Sequence, residues 1–158
     1  MTVDRISKQR RSEIMSSIRS KGSKPERIVR SVLHRLGFRF RLHRDDLPGK
    51  PDVVLPKYRT VVLLHGCFWH GCDKCDRGRR VPKTNTAFWV KKVQDNRRRD
   101  EVVREALLAA GWRIVVVWAC ETEDLDALTE RLRTIRTDAP ARAHPRGRSS
   151  TSSPVAGG

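Results

Sequence analysis

Eleven residues, His65-Gly66-Cys67-Phe68-Trp69-His70-Gly71-Cys72-Asp73-Lys74-Cys75, gather three thiols, two imidazoles and an adjacent aromatic pair. Thiolates and imidazoles are the preferred donors of a tetrahedral zinc ion, and the short cysteine spacings let a single turn wrap the metal. A fourth donor has to come from elsewhere in the chain. Cys120 is the only cysteine left, and it closes the apolar run Ile114-Val115-Val116-Val117-Trp118, which reads as a buried strand able to reach back to the loop. Four cysteines grouped as three plus one fit metal ligation better than two disulfides in a reducing compartment.

A chain of 158 residues with 37% hydrophobic side chains fits one domain with a compact core. No apolar stretch approaches the roughly 20 residues that cross a bilayer, and the N-terminus lacks the apolar centre of a secretory signal, so a soluble cytoplasmic protein is expected. Lys and Arg outnumber Asp and Glu 34 to 18, a formal charge of +16. Such a charge neutralises phosphates and releases counterions, which makes nucleic acid the natural partner. No amphipathic stretch pairs that charge with a large apolar face, which disfavours a membrane surface.

Residues 1–24 are basic and serine-rich, with Ile14, Met15 and Ile18 as a small apolar stripe, and read as an arm that orders on a partner. Residues 25–136 form the folded domain. A helix begins at Pro25, carries Ile28, Val29, Val32, Leu33 and Leu36 at helical spacing, and stops at Gly37. Phe38-Arg39-Phe40-Arg41-Leu42 alternates as a half-buried strand, Leu47 to Pro51 turns, and Asp52-Val53-Val54-Leu55 and Arg59 to Leu64 form an antiparallel pair. The cysteine-rich loop follows directly. A long helix is expected from about Thr86 to Ala110, with Phe88, Trp89, Val93, Val103, Ala106 and Leu107 facing one way, then a strand over Arg113 to Trp118 buried on both faces and a helix near Thr122 to Arg136. Residues 137–158 are too poor in apolar surface to repay ordering and read as a disordered basic tail.

Pro51-Asp52 opens a strand that pairs with the one leading into the cysteine loop, so its carboxylate can stand at an open sheet end, where hydrolytic metal sites gather; turn capping is the plainer reading. His65 and His70 leave the neighbouring strand, while Asn96 and Asp100 lie four apart on one helix face and could point at them. An Asp behind a His fixes the imidazole tautomer and raises its basicity for proton transfer. Phe68 and Trp69 fit either burial beneath the loop or insertion beside a weakly paired base step. Arg97-Arg98-Arg99, and Lys83 on the loop before the long helix, could hold DNA phosphates or simply be solvated.

Together, Leu47-Pro-Gly-Lys-Pro-Asp52, His65-Gly-Cys-Phe-Trp-His70, Val81-Pro-Lys-Thr-Asn-Thr-Ala-Phe-Trp89, Asn96 to Asp100 and Gly111-Trp-Arg-Ile-Val-Val-Val-Trp-Ala-Cys120 resemble the very-short-patch repair (Vsr) endonucleases. The likeness spans about residues 8 to 135. It implies an α/β fold with a restriction-endonuclease-like PD-(D/E)xK core, a mixed sheet flanked by helices and a structural zinc loop. It also implies nicking of one DNA strand 5′ to the thymine of a T:G mismatch left by 5-methylcytosine deamination.

Carried over residue by residue, the resemblance makes Asp52 a Mg2+ ligand assisted by the backbone carbonyl of Leu64, where family members often have Thr. His70 becomes the general base oriented by Asp100, His65 stabilises charge at the scissile phosphate, and Glu26 contacts metal-bound water. Phe68 and Trp69 enter DNA from the major groove and Met15 from the minor groove, with Lys83, Asn96 and Arg97 as further DNA contacts. Cys67, Cys72, Cys75 and Cys120 hold structural Zn2+, although family members frequently place a His where Cys72 stands; a closed four-thiolate site remains tetrahedral. The implied setting is a monomeric, nucleoid-associated enzyme whose partners are mismatched double-stranded DNA, a cytosine-5 DNA methyltransferase and mismatch-repair proteins. The rivals are a restriction-type nuclease for an intact or modified site and a non-catalytic zinc-stabilised DNA-binding module.

Overall fold

The structure, a computed structural model, describes residues 22–138 together with Ser7, Gln9, Arg10, Ser12 and Glu13. Met15, most of the expected arm and most of the expected tail lie outside the described residues.

Helix α1 (Lys24–Arg35) starts where Ser23 Oγ accepts the Glu26 N–H and Pro25 fits the first turn. It buries Val29, Val32 and Leu33. Strand β1 is only Arg41–Leu42, shorter than the alternation from Phe38 suggested. Phe38 is buried with Arg39 exposed, but the alternation fails at the exposed Leu42, and ladder pairing begins only where Arg41 meets Val54. Strands β2 (Val53–Leu55) and β3 (Thr60–His65) are antiparallel, joined by a 3-10 turn over Pro56–Tyr58. The cysteine segment, expected as a loop, folds into two single-turn helices, α2 (Cys67–His70) and α3 (Asp76–Arg79). The long helix α4 (Thr86–Ala109) then crosses to β4 (Arg113–Trp118), which lies parallel to β3 with Val62 opposite Val115 and His65 opposite Trp118. A second 3-10 turn (Ala119–Glu123) leads into α5 (Leu125–Thr137), capped by the Asp124 carboxylate.

The sheet order is β1-β2-β3-β4, mixed and flanked by helices, as expected for a restriction-endonuclease-like core. Successive β3 side chains point to opposite faces. On one face Val53, Leu55, Val62 and Val117 pack against Val29 and Leu33 of α1 and Leu128, Leu132 and Ile135 of α5. On the other, Val54, Val61 and Leu63 meet Leu107 of α4 and Trp112. Only Val117 of β4 is fully buried, so this strand is a sheet edge rather than the doubly covered strand its composition suggested. Its exposed backbone is satisfied locally. Arg131 Nη2 donates to Val116 O at 2.7 Å and the Trp118 N–H donates to Glu121 Oε2 at 2.7 Å. Such occupied groups cannot template pairing with another chain.

Two glycines are required by close approach. A Cβ at Gly49 would overlap Val103 of α4, which lets the turn before Asp52 lie flat on that helix. A Cβ at Gly78 would overlap the Cys72 backbone, so only glycine lets α3 close on the preceding cysteine turn.

Candidate active site and metal knuckle

The four cysteine sulfurs come from three segments: Cys67 in α2, Cys72 and Cys75 just beyond it, and Cys120 after β4. All four lie within 4.8 Å of one another, and Cys72 and Cys120 are 3.9 Å apart. A tetrahedron with metal–sulfur bonds of about 2.3 Å has edges of about 3.8 Å, so a zinc ion fits this cage with little adjustment. Backbone donors already face the sulfurs: the Cys120 N–H lies 3.3 Å from Cys67 Sγ and the Lys74 N–H 3.4 Å from Cys72 Sγ. The Gly78 N–H brings the Cys75 thiol down to about 7, whereas burial pushes Cys67 up and Cys120 up to about 12. Cys75 is thus the thiol most readily ionised, and a bound cation would displace the protons of Cys67 and Cys120.

Cys67 and His70 share the single turn of α2. His70 Nδ1 lies 2.5 Å from Asp100 Oδ2 on α4. With the proton on Nδ1, the carboxylate accepts it and Nε2 presents a lone pair. His65, at the end of β3, stacks on His70 with ring centroids 4.2 Å apart and stands edge-on to Trp118 at 5.2 Å. Burial, then the neighbouring His70, hold the His65 imidazole down at about 4. It is neutral at physiological pH, so any help it gives a phosphate is a hydrogen bond and not a full charge. These imidazoles and Asp100 border an open cleft of about 450 Å³ between the sheet and α4, with Arg97 and Arg104 on its wall.

Asp52 and Glu26 are not among the residues that line that cleft. Asp52 Oδ2 accepts the Leu64 N–H at 2.8 Å, which ties its carboxylate to the strand carrying His65. Burial is the main reason the Asp52 carboxyl is raised above its usual range, with the Glu26 charge adding to it. Its ionised form is disfavoured where it lies, and a hard divalent cation suits an oxygen donor in that position. Glu26 is buried and held by Arg30, the Gly22 N–H and Ser23.

Of the expected DNA contacts, Phe68 and Trp69 form a half-buried aromatic group, their rings 5.2 Å apart. Trp89, to which the sequence reading gave no role, touches both at 5.5 and 5.9 Å, and the 59%-exposed Phe88 extends the group. The helical period puts Trp89 and Phe88 on the same face as Val93, Val103 and Leu107. In the structure Phe88 and Trp89 belong to neither apolar cluster of the sheet. Asn96 Nδ2 donates to Trp69 O at 2.7 Å, so it secures the aromatic turn and does not reach the imidazoles. Arg97 donates to the carbonyls of His70, at 3.1 Å, and Gly71. Its charge caps the C-terminal end of α2. Lys83 is exposed on the loop before α4.

The family model for DNA mismatch endonuclease Vsr matches residues 3–77. The DNA mismatch endonuclease Vsr of Escherichia coli is 37% identical over 131 residues, covering 83% of each chain. The chain belongs to the Vsr DNA mismatch endonuclease family. Vsr relatives include the type II nicking enzyme V.XorIIP of Xanthomonas oryzae, 52% identical over 84% of this chain and 96% of that protein. Another is the type II nicking enzyme V.NmeAIP of Neisseria meningitidis, 43% identical over 82% of this chain and 91% of that protein. As a Vsr member it is an endonuclease acting on DNA, and no described helix is long and apolar enough to cross a membrane.

Proposed function

We propose that this enzyme nicks one strand of duplex DNA 5′ to the thymine of a T:G mismatch, leaving a 3′-hydroxyl and a 5′-phosphate. The observation that carries the reading is the His70–Asp100 pair stacked on His65, on a strand whose preceding residue is bonded to Asp52. Asp52 and the Leu64 carbonyl would hold Mg2+, with Glu26 facing its water shell. Bound there, the ion would polarise the phosphodiester and offset the charge that grows during displacement. His70 Nε2 takes a proton from the attacking water, and Asp100 steadies the resulting imidazolium. His65 donates an N–H to a phosphate oxygen without adding charge. Zinc in the four-thiolate knuckle would keep α2 rigid so that His70 and the aromatic group move as one body.

Phe68 and Trp69, with Trp89 behind them, would act as a wedge. Unstacking a base step costs a few kcal/mol and costs least where pairing is already poor, so a rigid aromatic block favours a mismatch over an intact pair. Arg98, Arg99 and Lys83 would meet phosphates, and a cytosine-5 methyltransferase would generate the lesion. Trp69→Ala is expected to lower the ratio of T:G to matched-duplex nicking by about tenfold or more. Equal loss on both substrates would assign the ring to packing alone.

A second reading is favoured by the names of the V.XorIIP and V.NmeAIP relatives, type II nicking enzymes: nicking at a fixed sequence whether or not it is mismatched. Strand-specific nicking of end-labelled duplexes with Mg2+, across a panel of mismatches and matched controls in varied sequence contexts, separates the two. Equal rates on matched and T:G duplexes would discard the mismatch reading.

A further inference from the structure

Glu26 and Asp52 are neighbouring carboxylates, and Glu26 is buried. Bringing two anions together before a cation arrives is costly unless a positive group offsets them. Arg30 stands one turn beyond Glu26 on α1, and its Nη2 donates to Glu26 Oε2 at 2.7 Å. The Glu26 side chain is only 6% exposed, so this ion pair is nearly dry and geometrically demanding. The same Oε2 accepts the Gly22 N–H at 2.8 Å. The other oxygen, Oε1, has only a long contact with Ser23 Oγ, 3.5 Å.

His43 braces the arrangement from the turn after β1. Its Nε2 lies 3.3 Å from Arg30 Nη2 and 3.8 Å from Glu26 Oε2. The backbone at His43 is left-handed, φ 45°, a conformation seldom taken by a residue with a side chain, and its N–H reaches the Asp52 carbonyl at 3.4 Å. Arg30 Nε is buried without a hydrogen-bond partner among the described residues. The cost of that unsatisfied donor is set against the charge of the guanidinium and the grip of its Nη2 on Glu26.

We propose that Arg30, braced by His43, is a positioning residue that engages Glu26 Oε2 so that Oε1 is left to face the water shell of a divalent cation held at Asp52. This rests on the cation site proposed above. The arrangement has two opposite consequences. Fixing Glu26 orders the metal-bound waters and speeds nicking, while the positive charge of Arg30 repels the cation and loosens its binding. A residue that merely supported the fold would weaken binding and rate together when removed.

The test uses the full chain and compares wild type, Arg30→Met, Arg30→Lys and Asp52→Asn. Mn2+ affinity without DNA is measured from the paramagnetic signal of the free ion, and single-turnover nicking of a T:G duplex is measured at saturating Mg2+. Arg30→Met is expected to bind Mn2+ about three- to tenfold tighter yet nick about tenfold more slowly, as for loss of one screened charge near the ion. Arg30→Lys, which keeps the charge, is expected to return both quantities most of the way to wild type. Unchanged or weaker Mn2+ binding by Arg30→Met, or an unchanged saturated rate, overturns the proposal. Asp52→Asn separates the two levels: Mn2+ bound as tightly as by wild type would overturn the cation site itself, whereas lost binding there with no effect at Arg30 would overturn only the role of Arg30.

Discussion

Asp52→Asn is expected to reduce nicking by at least about a thousandfold while making the metal-free protein more stable, not less. The carboxylate is nearly isosteric with the amide, and Asn Oδ1 can still accept the Leu64 N–H that Asp52 takes at 2.8 Å. What disappears is a charge that burial and Glu26 both disfavour. The folded-state value lies above the ordinary carboxylate value of 3.8. The native state therefore holds this proton more tightly than the unfolded chain, and its stabilising contribution is lost as pH rises through the folded value. At neutral pH the metal-free wild type carries the full cost of the ionised group and the variant carries none. A gain in melting temperature of about 2–5 °C is expected at pH 7, shrinking as the pH is lowered toward the carboxylate range. Added Mg2+ should then raise the melting temperature of the wild type and leave Asp52→Asn unmoved, since only a species that binds the ion in its native state is stabilised by it. Retained nicking by the variant would remove Asp52 from the chemistry. A lower melting temperature without metal would mean that Asp52 serves as a structural cap.

What the sequence made legible followed from strong local signals. β4 runs over Arg113–Trp118 as its β-branched residues demanded, and β3 is shifted by one residue from the run expected. α4 ends one residue short of Ala110, just before Gly111, whose left-handed φ of 80° closes the helix. The cysteines declared their grouping because thiol spacing reports directly on how tightly a turn can wrap an ion. Other features were hidden because they depend on contacts between distant segments. α2 and α3 are too short to show a period, and their shape follows from glycines packed against sulfur-bearing turns. The Asn96 and Arg97 side chains are polar and look free in a sequence, yet both close on the carbonyls at the end of α2. Phe88 and Trp89 fit the apolar stripe of α4, but they belong to neither apolar cluster of the sheet. Arg30 and His43 are 13 residues apart and carry no motif; only the left-handed turn at His43 brings its ring to α1.

Cys67→Ser is expected to lose zinc and to uncouple the catalytic face from the core. The sulfur cage joins the segment after β3 to the segment after β4, and it is built where apolar packing is thin: of the residues in α2 and α3 only Cys67 is buried. Metal coordination would therefore stand in for a hydrophobic core, and binding energy would become local folding energy, about 10 kcal/mol or more for structural zinc in small modules. The two apolar clusters that sandwich the sheet lie outside the knuckle. Far-ultraviolet circular dichroism should accordingly change little in Cys67→Ser. The near-ultraviolet signal and the tryptophan fluorescence should shift strongly, because Trp69 and Trp89 report on α2 and its seat against α4. Nicking should fall by at least about a hundredfold as His70 leaves Asp100, because Asn96 and Arg97 hold only the backbone carbonyls of that turn and not the imidazole. Acid should mimic the substitution: Cys67 and Cys120 are thiols that burial keeps protonated in the absence of metal, so protons compete with zinc and its release to a chelator should quicken as pH falls. Zinc counted by mass spectrometry should be one per wild-type chain and close to none in the variant. One zinc per chain retained by Cys67→Ser would sink the four-thiolate assignment and return His65 or His70 to the list of ligands, and ligation by His70 would deprive the proposed hydrolysis of its base.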